Sequence, residues 1–205
     1  QAGGWGHRPY LSETGMIDVP NLPLAHCVWV RPEASAFYAR DNVTFAHNPK
    51  SNLKLGSGVA PLPAFLKAGV RVALGTDGAA SNNRLDIWDE LRFAALTQKG
   101  IVKDPTLVAS VEAFRMATVN GAIGLGFRDV GLIREGYRAD MILIDLDRPH
   151  YVGWDSENLP GFLVYAGSSS DVRGTVVAGK MLYKDGDFVF TDGERIITEA
   201  TEARR

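Results

Sequence analysis

The sequence has 205 residues, of which 45% are hydrophobic and 22% are charged, as in an ordinary globular protein with a sizeable core. Its formal net charge of -2 argues against a broad surface for nucleic acid or anionic membranes, and no apolar run is long enough to span a bilayer. The single cysteine, Cys27, excludes an internal disulfide, so we expect a reducing, cytoplasmic location.

The first part of the chain alternates strand-like and helix-like segments. The predicted strands are the apolar runs at 24–30, 43–46 and 70–74, and the predicted helices lie at 32–40, 61–68, 85–98 and 111–125. Residues 48–52, after the second strand, have the composition of a turn-rich loop. This alternating order predicts a parallel sheet with helices outside it, which is an α/β fold.

From about residue 130 the pattern changes to short strands joined by tight turns. Strands are predicted at 139–144, 172–178, 181–184 and 188–190, followed by a terminal helix or arm at 194–205. We therefore divide the chain into a region at 1–129, built from three strand–helix units, and a β-rich module at 130–205.

Each of the first three predicted strands ends at a side chain that can bind a metal or carry a proton. These side chains are His26, His47 and Asp77. Because the carboxyl ends of parallel strands meet at one edge of a sheet, we expect the three to lie close together. A carboxylate is costly to bury without a partner or a cation. We therefore assign Asp77 to metal binding or proton transfer, and helix capping to residues 81–83.

Simpler interpretations exist for the two histidines. His26 could be a core histidine with one hydrogen bond, but its place beside two similar strand ends favours a functional role. His47 is followed by polar residues at 48–52 that could line a pocket or could satisfy only their own turn; both interpretations stay open. Cys27 is expected to point away from His26, into the packing.

The segments around these residues resemble the amidohydrolase superfamily, and within it the 5-methylthioadenosine/S-adenosylhomocysteine deaminases. The resemblance lies in residues 25–29 (AHCVW), 46–55 (AHNPKSNLKL) and 75–83 (GTDGAASNN), with further agreement at 116–122, 136–141 and 170–173. It implies that residues 1–129 are the C-terminal portion of a (β/α)8 TIM-type barrel, with its strands six to eight. Residues 130–205 would then be part of a small β-sandwich domain.

The resemblance also implies roles for individual residues. His26 and Asp77 would be catalytic: His26 would contact the hydrolytic water and the tetrahedral intermediate, while Asp77 would bind the metal and shuttle a proton. His47, Ser81 and Asn82 match substrate-binding positions. The implied cofactor is zinc or another divalent metal such as iron. The family's His-x-His and His-x-x-Glu ligand motifs are absent from this sequence, so the remaining ligands are expected outside this chain.

We therefore predict a metal-dependent hydrolytic deaminase of 5'-methylthioadenosine/S-adenosylhomocysteine-type adenine nucleosides, present here as an incomplete chain. One alternative is another amidohydrolase, such as a triazine chlorohydrolase or aminohydrolase or a guanine deaminase. The other is a catalytically inactive partial barrel that serves as an assembly module. Three strands of an eight-stranded barrel leave open edges, and the sequence begins at Gln1. We expect either a homo-oligomer or a missing N-terminal half.

Overall fold

The computed structural model describes residues 7–204. Its helices are α1 (His7–Glu13), α2 (Pro49–Lys54), α3 (Leu62–Lys67), α4 (Ala79–Asn82), α5 (Ile87–Val102), α6 (Ser110–Ala117), α7 (Val119–Gly124), α8 (Leu159–Tyr165) and α9 (Gly193–Ala203). Its strands are β1 (Leu22–Ala25), β2 (Val43–His47), β3 (Arg71–Leu74), β4 (Met141–Ile144), β5 (Val172–Val177), β6 (Lys180–Lys184) and β7 (Asp187–Phe188). Short 3₁₀ helices lie at Met16–Asp18, Pro32–Tyr38, Pro149–Tyr151 and Ser169–Asp171.

The first sheet consists of β1, β2 and β3, paired in parallel and in chain order. Phe45 of β2 lies between Leu24 of β1 and Val72 of β3. As the central strand, β2 is largely buried, which suits its apolar residues Val43, Phe45 and Ala46. The register places the carboxyl ends of all three strands at one edge, as the strand–helix alternation predicted.

Three aromatic rings, packed tilted and edge to face, lie in the core beside this sheet. The Phe45 ring lies 5.1 Å from that of Tyr38 and 4.9 Å from that of Phe65, centroid to centroid. All three side chains are buried. Truncating a core phenylalanine of this kind to alanine typically lowers the free energy of unfolding by about 3–5 kcal/mol. These three rings therefore contribute substantially to holding the neighbouring helices against the sheet.

The second sheet is antiparallel, in the order β4-β5-β6-β7. Its two hairpin turns have positive φ at both central residues: Ala178 and Gly179 join β5 to β6, and Asp185 and Gly186 join β6 to β7. This backbone matches the right-handed twist of adjoining strands.

A second cluster of buried residues joins α5 to the later part of the chain. Trp88 of α5 packs with Tyr151 and Leu163, and its indole Nε1 donates a hydrogen bond to the Leu163 carbonyl oxygen at 2.6 Å. The Tyr151 hydroxyl donates to the buried Asp171 carboxylate at 3.0 Å. The two sheets are separate, but residues from both sides of position 130 share this core. The boundary between 129 and 130 stays a prediction.

Several local predictions were wrong. Residues 49–52 of the predicted loop belong to the helix α2, with Asn48 directly before it. The predicted helix at 111–125 is broken at Thr118, whose φ and ψ are -120° and -96°. The helix α8 was not predicted. The apolar run at 24–30 is a strand only as far as Ala25, which directly precedes His26, the residue predicted to end this strand. The predicted terminal helix is present as α9, although its last predicted residue, Arg205, lies outside the described residues.

The start of α5 also differs from the prediction. Asp86, and not the segment 81–83, caps this helix, because its carboxylate accepts hydrogen bonds from the amides of Trp88 and Asp89 at 2.9 and 3.4 Å. In the described part of the chain, no helix is both long and apolar enough to cross a membrane.

Candidate functional site

His26 and Asp77 meet at the carboxyl edge of the parallel sheet, where β1 and β3 end. The His26 Nε2 and Asp77 Oδ2 atoms are 4.0 Å apart. Both residues line a cavity of about 680 Å³ whose walls include Leu24, Val28 and Trp29. A largely apolar cavity of this size with a few convergent polar groups is typical of a small-molecule site.

The backbone turns sharply at both residues. The φ angles of His26, Cys27 and Asp77 are 64°, 52° and 60°, in the left-handed region that aspartate and histidine enter more readily than most residues do. The His26 amide still donates to the Ala46 carbonyl oxygen at 2.8 Å, and the chain then leaves the sheet. The left-handed turn therefore ends β1 and makes His26 part of the cavity wall.

The helix α2, together with the residue before it, holds both candidate catalytic side chains. The Ser51 hydroxyl donates to Asp77 Oδ2 at 2.7 Å, and Asn52 Oδ1 lies 2.9 Å from His26 Nδ1. Asn48 Nδ2 approaches the same His26 nitrogen at 3.3 Å. The sequence analysis included these three residues only in the polar segment 48–52 that could line a pocket and gave none of them a role, although their spacing of i, i+3 and i+4 is that of one helix face.

Hydrogen bonds fix the charge of Asp77. Hydrogen bonds from the Ser51 hydroxyl, the Ser81 hydroxyl and the Gly78 amide, in decreasing order of effect, lower the pKa of Asp77 to about 2. The Gly78 amide lies 2.7 Å from Asp77 Oδ1, and the Ser81 hydroxyl also contacts the Gly78 carbonyl oxygen at 3.0 Å. Asp77 is therefore ionised at neutral pH, and its side chain is 33% exposed.

The contact with Asn52 indicates which tautomer the His26 ring adopts. A carbonyl oxygen can only accept a hydrogen bond, so we assign the ring proton to Nδ1, at the shorter contact, 2.9 Å from Asn52 Oδ1. Nε2, which faces Asp77, then carries a free lone pair and can accept a hydrogen bond from a ligand in the cavity.

His47 lies in the protein interior and does not line this cavity. It is 3% exposed, and within residues 7–204 neither of its ring nitrogens has a hydrogen-bond partner. Burial, aided by the nearby His26, lowers the pKa of His47 to about 4, so the ring is neutral at neutral pH. Its substrate-binding role stays a prediction.

The other residues named from the sequence also lie away from the cavity or at its edge. Asn82 is buried under the turn that carries Asp77, and its amide donates to the Thr76 carbonyl oxygen at 2.6 Å. Ser81 is half-buried in α4. Neither is among the described residues that line the cavity, so their substrate-binding roles stay predictions. Cys27 does line it, and burial raises the pKa of its thiol to about 12; the thiol is therefore protonated.

Asp77 is suited to bind a metal, because it is an ionised, solvent-accessible carboxylate at the cavity. A catalytic zinc site normally has three protein ligands and an open position. Across residues 7–204, however, no three histidine, cysteine, aspartate or glutamate side chains lie close enough to hold one ion together. The described residues thus fit part of a metal centre, in which Asp77 is able to serve as one ligand.

Comparison with known sequences shows what this chain is similar to. The sequence profile of the amidohydrolase family matches residues 2–182. A 5-methylthioadenosine/S-adenosylhomocysteine deaminase from Dictyoglomus thermophilum is 46% identical over 190 residues, which are 93% of this chain and 44% of the relative. The chain therefore spans less than half the length of this relative.

Two solved structures show the same partial match. An adenosine deaminase from Xanthomonas campestris with bound zinc has a TM-score of 0.87 and 32% identity, covering 95% of this chain and 44% of the other. An atrazine chlorohydrolase from Arthrobacter aurescens, complexed with zinc, has a TM-score of 0.85 and 32% identity, covering 95% and 43%. These matches confirm the predicted fold class, a partial α/β barrel with part of a smaller β-rich domain.

Proposed function

The chain belongs to the amidohydrolase family, and on that premise we propose that its site takes part in the metal-dependent hydrolytic deamination of an adenine nucleoside. The substrate would be of the 5'-methylthioadenosine or S-adenosylhomocysteine type. The observation that carries the proposal is the pairing of an ionised Asp77 with His26, 4.0 Å apart at the wall of one cavity. This pairing places a proton acceptor beside a group that can orient water.

The choice of substrate rests on the more similar sequence relative. The two solved structures are equally identical to this chain, yet one is named an adenosine deaminase and the other an atrazine chlorohydrolase. Structural similarity therefore does not choose between these chemistries. The relative with the higher identity is named for methylthioadenosine and S-adenosylhomocysteine, and a cavity of about 680 Å³ is large enough for a nucleoside.

In the proposed reaction, water adds to the ring carbon that bears the amino group. A divalent metal, zinc or another such as iron, would be held partly by Asp77 and would supply water of lowered pKa. Asp77 takes up a proton from the water, and His26 Nε2 orients that water by accepting its second hydrogen. Addition shifts the electron pair of the ring C=N bond to the ring nitrogen. Asp77 then gives its proton to the amino group, the C–N bond breaks as that pair returns, and ammonia leaves a hydroxyl, with the second hydrogen of the water, on the ring carbon.

Three features of α2 and the backbone prepare these residues for their roles. The Ser51 hydroxyl orients the Asp77 carboxylate. Asn52 holds the His26 ring in the tautomer that leaves Nε2 free. The left-handed backbone at both residues aims them into the same cavity.

We also propose that ligands from a further part of the protein or from a second subunit complete the metal centre, since Asp77 cannot form it alone. The predicted homo-oligomer or N-terminal half would supply them. We also propose a cytoplasmic location, because the sequence has a single cysteine and so no internal disulfide.

The Asp77→Asn variant tests the proposal in the complete, metal-loaded protein. Asparagine keeps the volume but cannot take up the proton, so deaminase turnover of methylthioadenosine should fall by about 10²- to 10⁴-fold. The matched control is Asp147→Asn at an exposed position, which should retain turnover. Full activity of Asp77→Asn would contradict the assigned role.

A substrate panel separates the alternatives. Preferred turnover of atrazine or guanine over adenine nucleosides would favour another amidohydrolase. Lack of turnover with every compound by the metal-loaded wild type would favour an inactive assembly module.

A further inference from the structure

Glu90 is a fully buried carboxylate on the first turn of α5, outside the cavity and outside the proposed reaction. Its side chain is 0% exposed. Glu90 Oε2 accepts a hydrogen bond from the backbone amide of Lys50 at 3.1 Å. Glu90 Oε1 accepts one from the side-chain amide of Asn82 at 2.6 Å. Each carboxylate oxygen therefore binds a different segment of the chain.

These two segments are the ones that place Asp77 and its hydrogen-bond donor. Lys50 immediately precedes Ser51, whose hydroxyl donates to Asp77. Asn82 lies in α4, just after the turn that carries Asp77, and its amide also donates to the carbonyl oxygen of Thr76 at 2.6 Å. Glu90 thus connects the start of α2 to the backbone immediately before Asp77.

We propose that Glu90 is a positioning residue that fixes Asp77 by holding α2 and the loop after β3 at a set distance. The proposal rests on the proposed function for its catalytic consequence, but its structural part can be tested separately. Only a carboxylate suits the position, because it offers two acceptor oxygens to two donors. A glutamine of the same shape would turn its own NH₂ group toward one of them.

Burial at this position also argues against a purely space-filling role. A buried carboxylate is expensive unless its hydrogen bonds are satisfied, and an apolar side chain of similar volume would fill the space at lower cost. Burial raises the pKa of Glu90, while the bonds from Lys50 and Asn82 oppose that change. Both bonds therefore favour the ionised form that can accept twice.

The first test is a crystal structure of the Glu90→Gln variant beside one of the wild type. In the wild type the Ser51 hydroxyl lies 2.7 Å from Asp77 Oδ2. We expect this distance to exceed hydrogen-bonding range in Glu90→Gln. An unchanged Ser51–Asp77 contact would overturn the proposal. This readout requires no turnover, so it stands even if the proposed deaminase activity fails.

The second test measures kinetics in the complete, metal-loaded enzyme. Glu90→Gln should lower kcat by about 10- to 100-fold, because small displacements of reacting groups have effects of that size, while KM changes little. The control is Asp89→Asn on the same helix. Asp89 binds the Lys50 side chain at 3.0 Å and not its backbone amide, so this variant should keep the wild-type kcat. A fall in thermal stability with unchanged kcat would show a merely structural role and overturn the proposal.

A double variant identifies the route of the effect. If Glu90 acts through Ser51, adding Glu90→Gln to Ser51→Ala should lower kcat little further than Ser51→Ala alone. Fully additive losses would refute that route. If Glu90→Gln does not fold, Asn82→Ala removes one of the two donors and should lower kcat in the same way; an unchanged kcat in Asn82→Ala would overturn the proposal.

Discussion

His47 should make the protein lose stability as the pH falls from about 6.5 toward 4. An ordinary histidine has a pKa of 6.5, and burial lowers the pKa of His47 in the folded protein to about 4. Between these values the unfolded chain binds a proton that the folded protein does not. The free energy of unfolding must therefore decrease as the pH is lowered through this window. The stabilisation that depends on neutral His47 is complete only above the window.

The size of the effect follows from the width of the window. Each pH unit inside it costs about 1.4 kcal/mol, so acidification from pH 7 to pH 5 should remove about 2 kcal/mol of stability through His47 alone. His47→Leu replaces the ring with an apolar side chain of similar size and nothing to protonate. Because neither ring nitrogen has a partner among the described residues, the substitution breaks no hydrogen bond.

The assay is urea denaturation of the wild type and His47→Leu at pH 7 and at pH 5. The loss of stability between the two pH values should be about 2 kcal/mol smaller in the variant. The control, His150→Gln, removes a histidine whose side chain is 39% exposed. Its loss of stability between pH 7 and pH 5 should stay close to that of the wild type. Equal losses in the wild type and His47→Leu, or an NMR titration showing His47 protonated above pH 6, would refute the reasoning.

Three further predictions concern local structure. Asp86→Ala removes the cap that accepts from the Trp88 amide and should lower the free energy of unfolding by about 1 kcal/mol, measurable by urea denaturation; no change would contradict the capping role. Gly75→Ala would place a methyl group against the Asn48 side chain and should destabilise the protein by about 1–3 kcal/mol. Gly100→Ala, in α5 with open space around it, should instead stabilise it by about 0.5–1 kcal/mol, and thermal unfolding of both glycine variants gives the comparison.

The sheet and the strand ends could be predicted because their signals are local. The apolar runs at 43–46 and 70–74 lie close to the observed β2 and β3, and parallel pairing then brought the residues that follow them to one edge. Parallel pairing brings His26 and Asp77 to the same edge, but β2 lies between their strands, so their separation of 4.0 Å also depends on the left-handed backbone at both residues. Their catalytic roles stay predictions, since geometry shows only that they can cooperate.

The parts that could not be predicted depend on contacts between distant residues. The segment 48–52 has a turn-like composition, yet it enters the helix α2, where the Lys50 amide is held by Glu90, 40 positions away in the sequence. Asp86 competes successfully with residues 81–83 for the helix cap because it sits directly before α5. The burial of His47 likewise depends on the elements that pack over it, which no short window of sequence reveals.

The left-handed backbone at His26 and Asp77 limits how this site can be re-engineered. A side chain at either position must suit that backbone as well as the reaction, and β-branched residues are strongly disfavoured there. Glycine would relax the backbone while removing the chemistry, so some inactive variants would gain stability. Selection of variants for stability alone would then tend to replace His26 and Asp77, the two residues proposed to act in the reaction. A library at these two positions should be screened for function first and built mainly from aspartate, asparagine, histidine and glycine.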